Sequence, residues 1–161
     1  MPNSELLRLR DQLRRTLEGE AWHGPALLEL LADVAADEAL AYPIPGAHSI
    51  WELVLHLGAG YGLVLRRMQG DTHPLTPAED WPQVPAPTAE NWRAAVGQLR
   101  EGNVALRDAL ARFSPDKLDE PLVPEPAYSA YTQFIGLTQH DLYHAGQIAL
   151  LKKMLRKERL A

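Results

Sequence analysis

The chain reads as all-α, a four-helix bundle, on three observations. Four long stretches carry the apolar spacing of a helix, none alternates apolar and polar residues like a half-buried strand, and two proline-rich connections separate the later stretches. With 161 residues it is expected to form one domain over 1–161, large enough to bury most of its apolar surface without staples.

The first stretch runs from about Ser4 to Leu31. Ser4 is a candidate cap, and Leu6, Leu7, Leu9 and Leu13 supply the apolar side. Gly24 and Pro25 interrupt it after Trp22 and His23, so the helix should bend or restart there. YPIPGAHS is a turn, because two prolines and a glycine cannot continue a helix. A second helix follows over about Ser49 to Gln69, with Ser49 and Glu52 at the spacing of a capping box.

GDTHPLTPAEDWPQVPAPT is a long connection without periodicity of its own, and Thr88 is placed to cap a third helix of about Ala89 to Phe113. SPDKLDEPLVPEPAYS has room only for a short helical turn. The fourth helix, about Ala130 to Glu158, carries Phe134, Leu137, Ile148, Leu151 and Leu155 on the side where His144 lies.

Composition narrows the chemistry. There is no cysteine, which removes disulfides, thiolate metal ligands and cysteine nucleophiles together. The opening MPNSELLRLRDQLRR lacks the apolar core of a signal peptide, and no segment approaches the roughly 20 apolar residues of a membrane span, so a cytoplasmic protein is expected. A net charge of −5 argues against nucleic-acid binding through a general basic field. The basic run KKMLRKERL reads as a solvated helix end complementing the helix dipole.

The histidines carry the most information. His140 and His144, four residues apart on one helix, lie one above the other on the same face. His56 shares its helix face with Leu53, Gly60 and Leu63, and Gly60 leaves space beside the imidazole. One histidine from the second helix and two from the fourth make a three-nitrogen site with positions open to water or substrate. An all-nitrogen donor set suits zinc, nickel, iron or copper, with zinc and nickel ranked first. The plainer reading is that the histidines stay metal-free and serve only packing.

Neighbouring residues are assigned lesser parts. Asp141 is about 100° round the helix from His140, which makes it a poor ligand; facing water is its expected role, with accepting a proton from a neighbouring imidazole as the alternative. Gln147 is placed to hydrogen-bond near His144, and Tyr143 to pack at a helix crossing. His23 is a weak candidate for a catalytic base lining the pocket, with capping or exposure as its plainer role. His48 reads as a turn residue and His73 as solvated. Trp22, Trp51, Trp81 and Trp92 are expected chiefly as core anchors, with a pocket rim or dimer contact as the alternative.

PIPGAHSIWELVLHLGAG in the first half and TQHDLYHAGQIALLKK near the end, in this order and separation, resemble the DinB/YfiT-like superfamily of metal-dependent enzymes over essentially the whole chain. The resemblance implies a bundle in up-down-down-up order with a long crossover, commonly a homodimer, and a metal triad of His56, His140 and His144. Some similar proteins are transferases or isomerases that use mycothiol, bacillithiol or glutathione; others have no assigned activity. The expected function is a metal-dependent transferase or hydrolase acting on a small-molecule substrate, with a bacillithiol-type thiol as co-substrate. The alternative is a non-catalytic metal-binding or stress-associated dimeric bundle.

Overall fold

The computed structural model describes residues 4–158 of the chain. Its four long helices are α1 (Ser4–Glu18), α4 (Ile50–Met68), α6 (Ala89–Ala111) and α7 (Ala130–Glu158). Three short helices, α2 (Leu27–Leu31), α3 (Ala36–Leu40) and α5 (Pro77–Asp80), and a 3₁₀ turn at Pro115–Lys117 lie in the connections. No strand occurs among the described residues. The side chain of Ser4, expected to cap α1, lies outside them.

The long helices form a closed ring: α1 packs on α6 and α7, and α4 packs on the same two from the opposite side. Contacts along the helices give their sense. Trp51 meets Trp92 near the start of α4 and α6, and Tyr61 meets Gly102 further along both, so these two run in the same direction. On α7 the partners run backwards, with His140 beside His56 and Gln133 beside Arg67, so α7 opposes α4. Helices α4 and α6 thus lie side by side in one direction, with α7 antiparallel to them.

Leucines in register build the centre. Leu9, Leu13 and Leu17 of α1 are buried against Leu57 of α4, Leu99 and Leu106 of α6, and Phe134 of α7. Leu7, expected on the apolar side, is 48% exposed because it lies about 100° from Leu6 on the helix circumference.

The first stretch ends earlier than its prolines suggest. Helix α1 stops at Glu18, and Gly19 and Glu20 follow with φ of 134° and 60°. A glycine directly after the last helical residue is a strong stop signal, and it acts here before Gly24 and Pro25 are reached. Arg15 donates to the Glu20 carbonyl at 2.8 Å and Arg14 to its carboxylate at 3.0 Å, which holds that turn. Helix α3 was not expected; Glu38 opens it by accepting from the Ala35 N–H.

Helix α4 begins where its capping box predicts. Ser49 Oγ accepts from Glu52 N at 3.2 Å, and Ser49 N donates to Glu52 Oε2 at 2.7 Å. Ser49 is fully buried, so Ser49→Ala is expected to lower the unfolding free energy by about 1–2 kcal/mol, measured by urea denaturation.

At the far end of the chain, Lys152 and Arg156 both pair with Asp33 beyond α2, and Lys152 also donates to the Leu30 carbonyl. This part of the basic run is a tie between α7 and the α2 corner, not a purely solvated helix end. Lys157 onward lies outside the described side chains. No described helix is long and apolar enough to cross a membrane.

Candidate metal centre

Helix α4 carries His56 two turns after its cap, and α7 carries His140 and His144 one turn apart on the side facing α4. The structure brings all three together. His140 Nε2 lies 2.9 Å from His56 Nε2 and 3.1 Å from His144 Nε2. The rings meet edge to face, with centroids 4.6–5.0 Å apart. His144 is buried and the other two are half-buried. The His140 ring lies against Gly60, where a Cβ would stand 3.6 Å from its Cε1 and Nδ1.

The outer nitrogens have partners that fix the tautomers. His56 Nδ1 is 2.8 Å from the Asp80 carbonyl oxygen and 3.1 Å from Asp80 Oδ1; both only accept, so Nδ1 carries the proton. His144 Nδ1 donates to Gln147 Oε1 at 2.7 Å, the role expected for that glutamine. The Nε2 atoms of both rings therefore present lone pairs toward His140. A neutral His140 has one proton, which can satisfy at most one of them.

A cation satisfies all three at once. Two nitrogens each about 2.0–2.1 Å from one ion and near right angles to each other lie roughly 3 Å apart, close to the two spacings seen. Histidine ligands ordinarily donate their other ring nitrogen to a carbonyl or carboxylate, as His56 does here. The donor set thus fits a divalent ion.

Electrostatics favour the neutral form of the two α7 rings. Burial pushes His140 down to about 4, with the adjacent His144 and His56 adding to the shift and Asp80 opposing it. Burial also lowers His144, against an opposing hydrogen bond from Gln147. Neutral imidazole is the form that ligates metal.

The long connection supplies the cover. Thr76 and Glu79 form a capping box that starts α5, and the helix delivers Asp80 and Trp81 over His56. Trp81 is sandwiched between His48 and His56, with centroids 3.6 and 4.0 Å away and planes within 10° and 2° of parallel. So Trp81 walls the site, while Trp51 and Trp92 are core residues. Trp22, expected chiefly as an anchor, is fully exposed in the turn after α1.

Several other expectations are corrected. Asp141 does not face water: it is wholly buried, and its Oδ2 accepts from Tyr61 Oη at 2.6 Å and Thr16 Oγ1 at 3.2 Å. Asn103 Nδ2 donates to Tyr61 Oη at 3.1 Å and to the Leu13 carbonyl at 3.0 Å. One residue from each long helix thereby joins a buried polar network beside the histidines. Burial pushes Asp141 up to about 7, against the hydrogen bonds from Tyr61 and Thr16. Tyr143 is 66% exposed on α7 rather than packed at a crossing.

His23 is exposed in the turn before Pro25, in a depression lined by Asp11, Arg15, Thr16, Trp22 and Leu142. None of the three clustered histidines lines that depression. His48 stacks on Trp81, closer to the site than its turn position suggests. His73 is exposed and bonded to Asp71.

A cavity of about 370 Å³ opens beside the cluster, between α4 and α7. His56, His140 and Asp80 stand at one end; Leu63, Leu137 and Gly136 line it; and Arg67 reaches it. Sequence reasoning missed Asp80 and Arg67. The TPAE capping signature was a legible sign that the connection folds, and Arg67 continues the series His56, Gly60, Leu63 along one helix face.

Neither the curated proteins nor the solved structures gave a match to the chain. The model of one family, the DinB superfamily, matches residues 20–148, a span that contains all three histidines. The chain belongs to the DinB superfamily.

Proposed function

We propose that the protein is a divalent-metal enzyme that transfers or hydrolyses a group on a small molecule. His56, His140 and His144 hold the ion, zinc or nickel in first place, with iron or copper as further choices. The observation that carries this reading is the convergence of three Nε2 atoms, with two of the rings, His56 and His140, lining a ligand-sized cavity. When bound, the ion supplies Lewis acidity that lowers the pKa of a water or a low-molecular-weight thiol at neutral pH.

The chain's own residues supply orientation, cover and a proton acceptor. The Asp80 carbonyl and Gln147 Oε1 aim two of the rings, and Trp81 shields His56 from solvent. Asp80 is the one carboxylate among the residues lining the cavity, so its Oδ2 and Oδ1 are where a proton shed by the nucleophile goes. His23 has no part in this scheme.

The test uses protein purified without a histidine tag. Elemental analysis should give about one ion per chain, and incubation with a thiol panel and monochlorobimane should give conjugation that chelation abolishes. Asp80→Asn keeps the backbone carbonyl on His56, so metal content should hold while turnover falls by about 100-fold or more. Bound metal without turnover of any thiol or ester would leave a metal-binding module instead; no stoichiometric metal would overturn the reading altogether.

A further inference from the structure

Two adjacent arginines near the end of α4 face different ways, and each keeps one buried nitrogen without a partner. Arg66 points outward toward Asp71 at 3.8 Å and Glu79 at 3.7 Å. Arg67 turns to the cavity between α4 and α7 and pairs with no carboxylate among the described residues. Its Nη1 donates to the neutral Gln133 Oε1 at 2.9 Å, and its Nε is buried without any partner. Gln133 is itself buried and held by the Tyr128 carbonyl at 3.2 Å, so the guanidinium is fixed rather than floating.

A guanidinium that lines a cavity and has no carboxylate partner is a charge that an anionic acceptor compensates. The cavity is polarised along its length. Asp80 sits at the histidine end and Arg67 at the other, and the walls between are Leu63, Val64, Leu75 and Leu137. Gln133 and His140 are seven residues apart on α7, about 10 Å along the helix axis. A six-carbon chain with a polar group at each end, counted with the contacts of those groups to Arg67 and the histidines, covers that span.

We infer that this cavity takes an organic anion with an apolar body, its carboxylate or similar oxyanion on Arg67 and its reacting end toward the three histidines. The anion subsite stands on Arg67 itself; the direction of the reacting end rests on the metal reading above. Gly136 is the floor of the cavity, and a Cβ there would meet nothing within 4 Å, so a larger side chain grows into the space the ligand needs.

The experiment is calorimetric titration of mercaptohexanoate and mercaptohexanol into zinc-loaded protein, and of hexanoate and hexanol into chelator-stripped protein. The carboxylates should bind about 10–100-fold tighter than the matching alcohols, and Arg67→Gln should erase that preference while metal content stays at wild-type level. Gly136→Leu should weaken acid and alcohol alike by more than about tenfold with the metal retained, which covers the case in which Arg67→Gln fails to fold. Equal affinities for acid and alcohol, or a preference that survives Arg67→Gln, would overturn the inference. The stripped-protein arm separates the two readings. A carboxylate preference there, without metal uptake elsewhere, sinks the metal reading alone; metal uptake without that preference sinks only the subsite.

Discussion

His140→Ala should reduce affinity for the divalent ion by more than about 100-fold, beyond the roughly 10–100-fold that follows loss of a residue merely orienting a ligand. His140 is the middle member of the cluster, since its Nε2 is the atom within 3.1 Å of both other Nε2 atoms. Removing it leaves only His56 and His144, whose ring centroids are 5.0 Å apart, as a two-nitrogen pair. Gln147→Ala removes only the acceptor that orients His144, so its loss should stay within the smaller range. Proton competition checks the same site from another side. Because burial and the neighbouring imidazoles hold His140 near 4, protonation of that ring should displace a bound ion only as the pH approaches that value, well below the ordinary histidine range. Competition titration with a chromophoric chelator, at neutral pH and again near pH 5, reads both effects. Wild-type affinity in His140→Ala would exclude the three-nitrogen site.

How much of this was legible depends on the range of the signal. The long helices were, because apolar spacing and caps are local: Ser49 with Glu52 and Thr88 with Asn91 mark the starts of α4 and α6 as written. The histidine cluster was legible because two ligands share one helix face and the third sits beside a glycine on another. Asp141 was not. Its position implied a side away from His140, and an aspartate away from a site is usually wet. What makes burial tolerable is Tyr61, 80 residues earlier, and that pairing has no local signature. Asp80 escaped notice for a related reason. Its part depends on a four-residue helix folding back over His56, a tertiary event that the prolines around it obscured.

The two polar systems at the bundle centre oppose each other with pH. An ion held by the three histidines would strengthen folding as the pH rises and the imidazoles lose competing protons. The Asp141 network does the reverse. Its carboxyl titrates near 7 in the folded chain and near 3.9 when unfolded, so the folded state holds the extra proton between those values. Stability is therefore full below about pH 4 on account of this group and declines as pH rises through 7, by up to about 4 kcal/mol.

Asp141→Asn isolates that term. The amide oxygen can still accept from Tyr61, but no ionisable group remains. Urea denaturation with chelator present, at pH 5 and pH 8, should show wild type losing stability across the interval and Asp141→Asn losing far less. The slope is the informative quantity, because the new amide N–H₂ falls where Asp141 Oδ1 has no partner and costs about 1–3 kcal/mol at both pH values. Tyr61→Phe tests the same network from its donor side. Removing the hydroxyl deprives Asp141 of its 2.6 Å hydrogen bond and Asn103 of one of its two acceptors, so stability should fall by about 1–3 kcal/mol. It should also push Asp141 further up, moving the decline to higher pH. A wild-type profile with no decline between pH 5 and pH 8, or an Asp141→Asn variant that keeps the full wild-type slope, would place the titrating group elsewhere.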